Sequence, residues 1–204
     1  EANKTYVAAY YLRGTVFGNK NEIDKAIEDW SKAIEINAKY INAYYNRGNA
    51  YYLKGKYEDA LKDFDKVIEL NPNDVGAYAQ HAMILYGMKD YKGVIVDYTK
   101  IIELGVNDAG IYCNRAIIYS MLDELDKAIE DFNKAIEIDP KDVKSYANRA
   151  EALEKKGDIT GAVKDFERFV ELDPDNKIVP EIKKRVEELK KKQEEKPEKE
   201  QSLK

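Results

Sequence analysis

The chain has 204 residues, a net charge of −5 and 36% charged residues. This acidic balance argues against a nucleic acid partner, because the phosphate backbone attracts basic surfaces. No apolar run approaches the roughly 20 residues of a membrane span, and Cys113, the single cysteine, excludes an internal disulfide bond. We expect a cytoplasmic location, with a periplasmic or exported one left open because the sequence does not begin with Met.

A 34-residue period organises most of the sequence after a lead-in of residues 1–6. A tyrosine and a pair of mostly small residues recur at this interval, which is typical of stacked helical pairs rather than a globular enzyme core. The tyrosines are Tyr10, Tyr44, Tyr78, Tyr112 and Tyr146. The predicted repeats, numbered 1 to 5 in chain order, are 7–40, 41–74, 75–108, 109–142 and 143–176.

Each repeat predicts two helices, for example 42–54 and 58–70 in repeat 2. The second carries an apolar stripe at three- and four-residue steps, as in an amphipathic helix. The last position of a repeat is Asp74, Asp108, Asp142 or Asn176 in repeats 2 to 5. These residue types are good N-caps for the helix that follows.

After the repeats, residues 177–193 predict a capping helix. Val179, Ile182, Val186 and Leu189 form one apolar stripe, with Pro180 near the helix start. Residues 194–204 contain almost no apolar side chain and are rich in Lys and Glu, so a disordered tail is predicted there.

Repeat 2 contains AYYNRGNAYYLKGKYEDALKDFDKVIELNPND, which resembles the consensus of the tetratricopeptide repeat family. The resemblance covers residues 7–176 and is weakest in repeat 3, where Val94 replaces the usual alanine. It implies an all-α, right-handed solenoid of helix-turn-helix units, closed by the C-terminal capping helix. It also implies that the first helices line a concave groove.

A cationic or cationisable residue precedes an aspartate by sixteen positions in every repeat. We expect these residues to form partly buried ion pairs that fix helix orientation, rather than an anion site. His81 is the only histidine, so neither a metal site nor a cysteine–histidine catalytic pair is predicted. The pairs are Arg13 and Asp29, Arg47 and Asp63, His81 and Asp97, Arg115 and Asp131, and Arg149 and Asp165.

The resemblance places positions 2, 5, 6, 9 and 12 of each repeat in the groove. None of these residues is charged in repeats 1 to 4, although repeat 5 contributes Lys144, Glu151 and Glu154. One interpretation is a groove for a neutral or apolar segment; the other is that flanked helices simply carry less charge. The predicted partner-binding residues are Tyr11, Tyr45, Asn46, Asn49, Tyr52, Gln80, Met83, Tyr86, Cys113, Asn114, Ile117 and Asn148.

Four of these residues are amides at position 6 of successive repeats: Asn46, Gln80, Asn114 and Asn148. An amide donates and accepts, so such a ladder can pair with the backbone of an extended peptide. The alternative is that the amide is only a common residue of this repeat type.

The carboxylate-clamp co-chaperones of the same family bind acidic C-terminal tails through lysine, asparagine and arginine. In the best register, starting from repeat 3, only Asn114 and Lys144 agree with that pattern, whereas Ala79, Met83 and Asn148 do not. The sequence therefore argues against binding of chaperone tails.

The sequence contains no catalytic set and implies no cofactor. We expect a non-enzymatic adaptor or scaffold that binds a protein or peptide in the groove. Two alternatives stay open: self-association as an assembly scaffold, and a targeting region of a larger protein.

Overall fold

The computed structural model describes the backbone of residues 2–201 and the side chains of residues 6–194. This part of the chain forms eleven helices and no strand, which confirms the predicted all-α class. The helices are α1 Ala2–Asn19, α2 Ile23–Ile36, α3 Ile41–Leu53, α4 Tyr57–Leu70, α5 Val75–Gly87, α6 Tyr91–Glu103, α7 Ala109–Met121, α8 Leu125–Ile138, α9 Val143–Lys156, α10 Ile159–Leu172 and α11 Val179–Gln201. None of these helices is long and apolar enough to cross a membrane.

The chain divides into two compact bodies, which we call the N-terminal body (residues 1–105) and the C-terminal body (residues 106–204). In the N-terminal body, α1 packs against α3 and α3 against α5, so these first helices form one layer. The second helices pack against them, with α2 contacting both α1 and α3, and α4 contacting both α3 and α5. In the C-terminal body, α8 likewise contacts α7 and α9, and α10 contacts α9 and α11.

The core of each body is formed largely by the small and aromatic residues that recur in the repeats. In repeat 2, the Ala60, Phe64 and Val67 side chains on α4 are fully buried. They form one cluster with Ala77 and Ile84 of α5, the first helix of the next repeat. α4 thus buries its apolar stripe between α3, its partner in the same repeat, and α5, the helix that follows.

The turn inside every repeat passes through one residue in the left-handed region, at position 15 of the repeat. Glycine occupies this place in two repeats, where it carries no steric penalty. The other three repeats use asparagine, lysine and aspartate. The residues are Asn21 (φ 60°), Gly55 (φ 70°), Lys89 (φ 63°), Asp123 (φ 61°) and Gly157 (φ 88°).

The helix boundaries differ from the sequence prediction at both ends. Residues 2–6, expected as a lead-in, belong to α1, because no proline or glycine interrupts the helix before Gly14. The expected disordered tail begins at residue 194, but α11 continues to Gln201, because Lys, Glu and Gln are good helix formers. Residues 202–204 lie outside the described part.

Three of the four predicted N-caps are confirmed. The side chains of Asp74, Asp108 and Asp142 accept hydrogen bonds from backbone N–H groups in the first turns of α5, α7 and α9. Asn176 is the exception, because α11 begins at Val179 and the Asn176 side chain instead accepts from the Ile178 N–H in the preceding turn.

Candidate functional site

The predicted partner-binding residues of the N-terminal body lie on the layer formed by α1, α3 and α5. Eight residues belong to this group, and none is charged. We call this surface the first-helix face of the N-terminal body. It consists of Tyr11, Tyr45, Asn46, Asn49, Tyr52, Gln80, Met83 and Tyr86.

Tyr11 and Asn46 connect neighbouring first helices on this face. The Tyr11 ring meets the Tyr40 ring edge-on, with centroids 5.2 Å apart. The Asn46 Nδ2 atom donates a hydrogen bond to the Tyr11 hydroxyl oxygen at 3.3 Å. One N–H and the carbonyl oxygen of the amide remain for other partners.

Tyr45 is partly inserted into the core. Its ring meets Phe64 edge-on at 5.4 Å, and burial is the main cause that raises the pKa of its hydroxyl above the ordinary value. A Cβ atom at Gly76 would lie 3.1 Å from the Tyr45 oxygen. The Tyr45 side chain therefore packs beneath the first-helix face and projects little from it.

Met83 and Tyr86 are the most exposed members of this face. Met83 is 39% exposed and Tyr86 is 50% exposed. The Tyr86 ring lies 5.9 Å from Tyr91, and Tyr52 lies 5.7 Å from Tyr57, so both tyrosines are braced by a second aromatic ring. Asn49 and Gln80 are half-buried beside them. The face thus offers sulfur, aromatic and amide groups to a partner.

Cys113 requires a correction in the C-terminal body. It was predicted to contact a partner, but its side chain is 1% exposed and packs with Ala116, Phe132 and Ala152. Burial raises the pKa of its thiol. A first-helix residue at position 5 lies at the edge of the core, and the small cysteine is covered there because α9 packs against α7.

The other predicted contacts of the C-terminal body are engaged with neighbouring groups. Asn114 Oδ1 accepts a hydrogen bond from Lys144 Nζ at 3.0 Å, and Asn148 Nδ2 donates to the Lys144 backbone oxygen at 2.8 Å. Ile117 packs against the core of this body. Asn114 and Lys144, the two residues that agree with the carboxylate clamp, therefore bond to each other.

A pocket of about 610 Å³ lies between α9, α10 and α11 in the C-terminal body. Its walls include Glu154, Arg185 and Glu188, and the Arg185 guanidinium pairs with the Glu154 carboxylate. The charged character that the sequence predicted for repeat 5 therefore extends onto α11. This surface contrasts with the uncharged face of the N-terminal body.

The five ion pairs join the two helices of each repeat. Each of the four arginines contacts its aspartate through Nε and Nη2 at 2.6–2.8 Å, and every aspartate is at most 5% exposed. Because the arginine neutralises a buried carboxylate, these groups are occupied in holding the fold.

His81 takes the arginine position in repeat 3. Its Nδ1 lies 2.7 Å from Asp97 Oδ2, and its Nε2 lies 3.4 Å from Asp65 Oδ1. Burial lowers the pKa of the imidazole, but the hydrogen bonds and charges of Asp97 and Asp65 outweigh burial and raise it above the ordinary value. Among the described residues, no group of three or more His, Cys, Asp or Glu side chains could hold a metal ion.

Family models of the tetratricopeptide repeat match more than half of the chain. One matches residues 41–74 and 109–142, a second matches 19–55, and a third matches 132–164. No curated protein sequence matches the chain.

Solved structures share the fold along most of the chain. The MamA protein is 25% identical, with a TM-score of 0.75, and the match covers 83% of this chain and 92% of that one. YrrB, described as a TPR protein with an unusual peptide-binding site, is 21% identical, with a TM-score of 0.76 and coverage of 90% and 98%. PilF of Pseudomonas aeruginosa is 14% identical, with a TM-score of 0.66 and coverage of 95% and 88%.

Proposed function

Because the chain belongs to the tetratricopeptide repeat family, we propose that it is a non-enzymatic adaptor. Its first-helix face in the N-terminal body would bind an uncharged segment of a partner protein, either an extended peptide or one side of an amphipathic helix. Repeats of this family form protein-interaction scaffolds, and YrrB, which shares the fold, is described as a TPR protein with an unusual peptide-binding site. The uncharged residues of the first-helix face would favour a partner segment without charge.

One observation carries the proposal. Met83 and Tyr86 stand exposed on a face whose eight predicted contact residues include no charge, in a chain with 36% charged residues. Exposed apolar surface of this kind is typical of interaction sites. Tyrosine and methionine supply large contact areas, and methionine adapts to partners of different shape.

The amide groups add a directional component. Asn46 keeps a carbonyl oxygen and one N–H after its bond to Tyr11, and Gln80 is half-buried on the adjacent helix. Two such amides on neighbouring helices could pair with backbone groups of an extended peptide. The continuation of a ladder through Asn114 and Asn148 is less favoured, since both amides already bond to Lys144.

The test is peptide selection against the whole protein. A phage-displayed library of random peptides is enriched on the wild-type chain, and the affinities of synthetic copies are measured by fluorescence anisotropy. We expect uncharged sequences to be enriched, and Met83→Lys to weaken their binding at least tenfold, because a lysine must be desolvated in the contact.

The matched control is Met88→Lys. Met88 is 40% exposed, close to the value for Met83, but it lies after the end of α5. We expect this variant to bind within twofold of the wild type. Enrichment of no peptide, or equal binding to the Met83→Lys variant, would contradict the proposal.

A further inference from the structure

α1 exposes a surface whose counterparts are covered on α3, α5 and α9. We call it the outer face of α1 and define it by Ala9, Arg13 and Val16. Val16 is 50% exposed, whereas its equivalents one, two and four repeats later, Ala50, Ile84 and Ala152, are at most 3% exposed. Ala9 is exposed, while the equivalent Ala43 is fully buried.

The coverage on those other helices comes from the second helix of the preceding repeat. In the N-terminal body, Ala26, Trp30 and Ala33 of α2 form one apolar cluster with Ala43 and Ala50 of α3. α4 covers α5 through the same positions, and α8 covers Ala152 of α9 in the C-terminal body.

A polar contact accompanies each of these interfaces. The covering helix places an acceptor against the cation of the next repeat: Ser31 Oγ accepts from Arg47 Nη1 at 2.9 Å, and Asn133 Oδ1 accepts from Arg149 Nη1 at 2.6 Å. Asp65 lies at the same place near His81, with the two atoms 3.4 Å apart. The same kind of polar contact therefore recurs at these three interfaces.

Arg13 forms the ion pair within its own repeat but, in the part of the chain that the structure describes, lacks the contact with a covering helix. Its Nε and Nη2 atoms bond to Asp29, but within the described residues no acceptor meets Nη1. The Arg13 side chain is 60% exposed, against 18% for Arg47 and 19% for Arg149. The ion pair inside the repeat is complete, and the site for an acceptor from another helix is open.

The outer face of α1 also resembles the covered face of α3 residue by residue. Ala9, Tyr10 and Arg13 are repeated 34 residues later as Ala43, Tyr44 and Arg47. Val16, the third residue that defines the face, differs from its buried counterpart Ala50 and has the larger apolar side chain. A surface that binds α2 when it belongs to α3 is thus presented by α1 without a covering helix in the described part of the chain.

We propose that the outer face of α1 is a second docking site, which accepts an amphipathic helix of a partner protein. That helix would pack small and aromatic residues against Ala9 and Val16, and would present a serine, asparagine or aspartate to Arg13 Nη1. The site is distinct from the first-helix face, because it uses positions 3, 7 and 10 of the repeat rather than 5, 6, 9 and 12. A protein of this design joins two partners.

The probe is a synthetic peptide with the sequence of residues 22–37, which contains α2. An isolated helix of this length is marginal in water, so the peptide carries a staple between positions 28 and 35, which are exposed in α2. A fluorescent copy is titrated with the whole protein. We expect saturable binding, and about tenfold weaker binding for a peptide in which Ser31 is replaced by alanine, because an acceptor for a charged donor is lost.

Variants of the protein locate the binding site. Val16→Glu and Ala9→Glu place a charge on the outer face of α1 and should each weaken binding at least tenfold. Val96→Glu is the matched control, since Val96 is a 66% exposed valine on α6; it should bind within twofold of the wild type. Met83→Lys should also leave the α2 peptide unaffected, which separates this site from the first-helix face.

Absence of binding at the solubility limit of the peptide would overturn the proposal. Equal binding to the wild type and the Val16→Glu variant would also overturn it, because the peptide would then bind elsewhere or replace α2 on α3. Sedimentation velocity gives the third outcome: a wild-type dimer that Val16→Glu converts to a monomer would assign the face to a second copy of this chain instead.

Discussion

His81 Nδ1 lies 2.7 Å from Asp97 Oδ2, at the place where the other four repeats put an arginine against the same aspartate. An arginine stays charged at all relevant pH values, whereas an imidazole does not. Repeat 3 therefore holds the one such pair, among the five, whose cation can lose its charge near neutral pH.

This difference predicts how stability depends on pH. Since the pKa of His81 is raised in the folded chain, its contribution is complete below the unfolded value of about 6.5 and is lost as the pH rises through the higher folded value. We expect the free energy of unfolding in urea to fall between pH 6 and 9 for the wild type, and to change much less for His81→Arg. His81 is the only histidine, so equal pH profiles would rule out this origin.

The arginine–aspartate pairs should contribute more to the free energy of unfolding where the arginine is more buried. Arg149→Met leaves the Asp165 carboxylate, whose side chain is 5% exposed, without its partner, and should cost about 3–5 kcal/mol. Arg13→Met should cost less, because the Arg13 side chain is already 60% exposed and water can replace it at Asp29. Urea denaturation followed by circular dichroism measures both. As a control, Arg168→Met removes an exposed pair on α10 and should change little; equal losses for Arg149 and Arg13 would contradict the burial argument.

Gly14 and Trp30 should be coupled. A Cβ atom at Gly14 would lie 2.9 Å from Trp30 Nε1, so Gly14→Ala should destabilise the chain by about 1–2 kcal/mol, although alanine is the better helix former. In a Trp30→Phe background the same change should cost less, because repeats 4 and 5 combine alanine with phenylalanine, as in Ala116 and Phe132. A double-mutant cycle measures the coupling, and additive effects would show that the two side chains do not compete for space.

Replacing Lys89 with glycine should increase the stability of the chain. It adopts φ 63° at the position where two other repeats have glycine, and a left-handed backbone costs a lysine more than a glycine. We expect Lys89→Gly to stabilise the chain by about 0.5–1 kcal/mol, since the steric gain exceeds the added entropy of the unfolded state. Lys62→Gly, inside α4, is the control and should destabilise by about 1 kcal/mol. A loss of stability in the Lys89 variant would contradict the strain argument.

The repeat architecture was predictable from the sequence because each repeat presents the same packing problem. Tyrosines, small residues and apolar stripes at one period predict the helices, and the family and all-α fold are confirmed. The sixteen-residue spacing between cation and aspartate has a direct geometric counterpart, since it spans the turn and places both groups on facing helices.

The candidate site was less predictable, because accessibility depends on neighbours that a position number does not describe. Cys113 shares position 5 with Tyr11 and Tyr45, yet it is small enough to be covered completely. Asn114 and Asn148 both meet Lys144, a residue that stands at a different position of the repeat. The exposure of Val16 was missed for the opposite reason, since its equivalents are core residues.

A left-handed residue stands at the same place in every repeat, so the two helices of different repeats can be exchanged at this turn. Each first helix ends one or two residues before this residue, and each second helix begins two residues after it. Cutting and rejoining the gene at that codon would therefore give chimaeric repeats in which cation and aspartate still face each other sixteen residues apart. The exposed side chains of one first helix could then be combined with the second helix of another repeat, so this turn offers protein engineers a site for recombination.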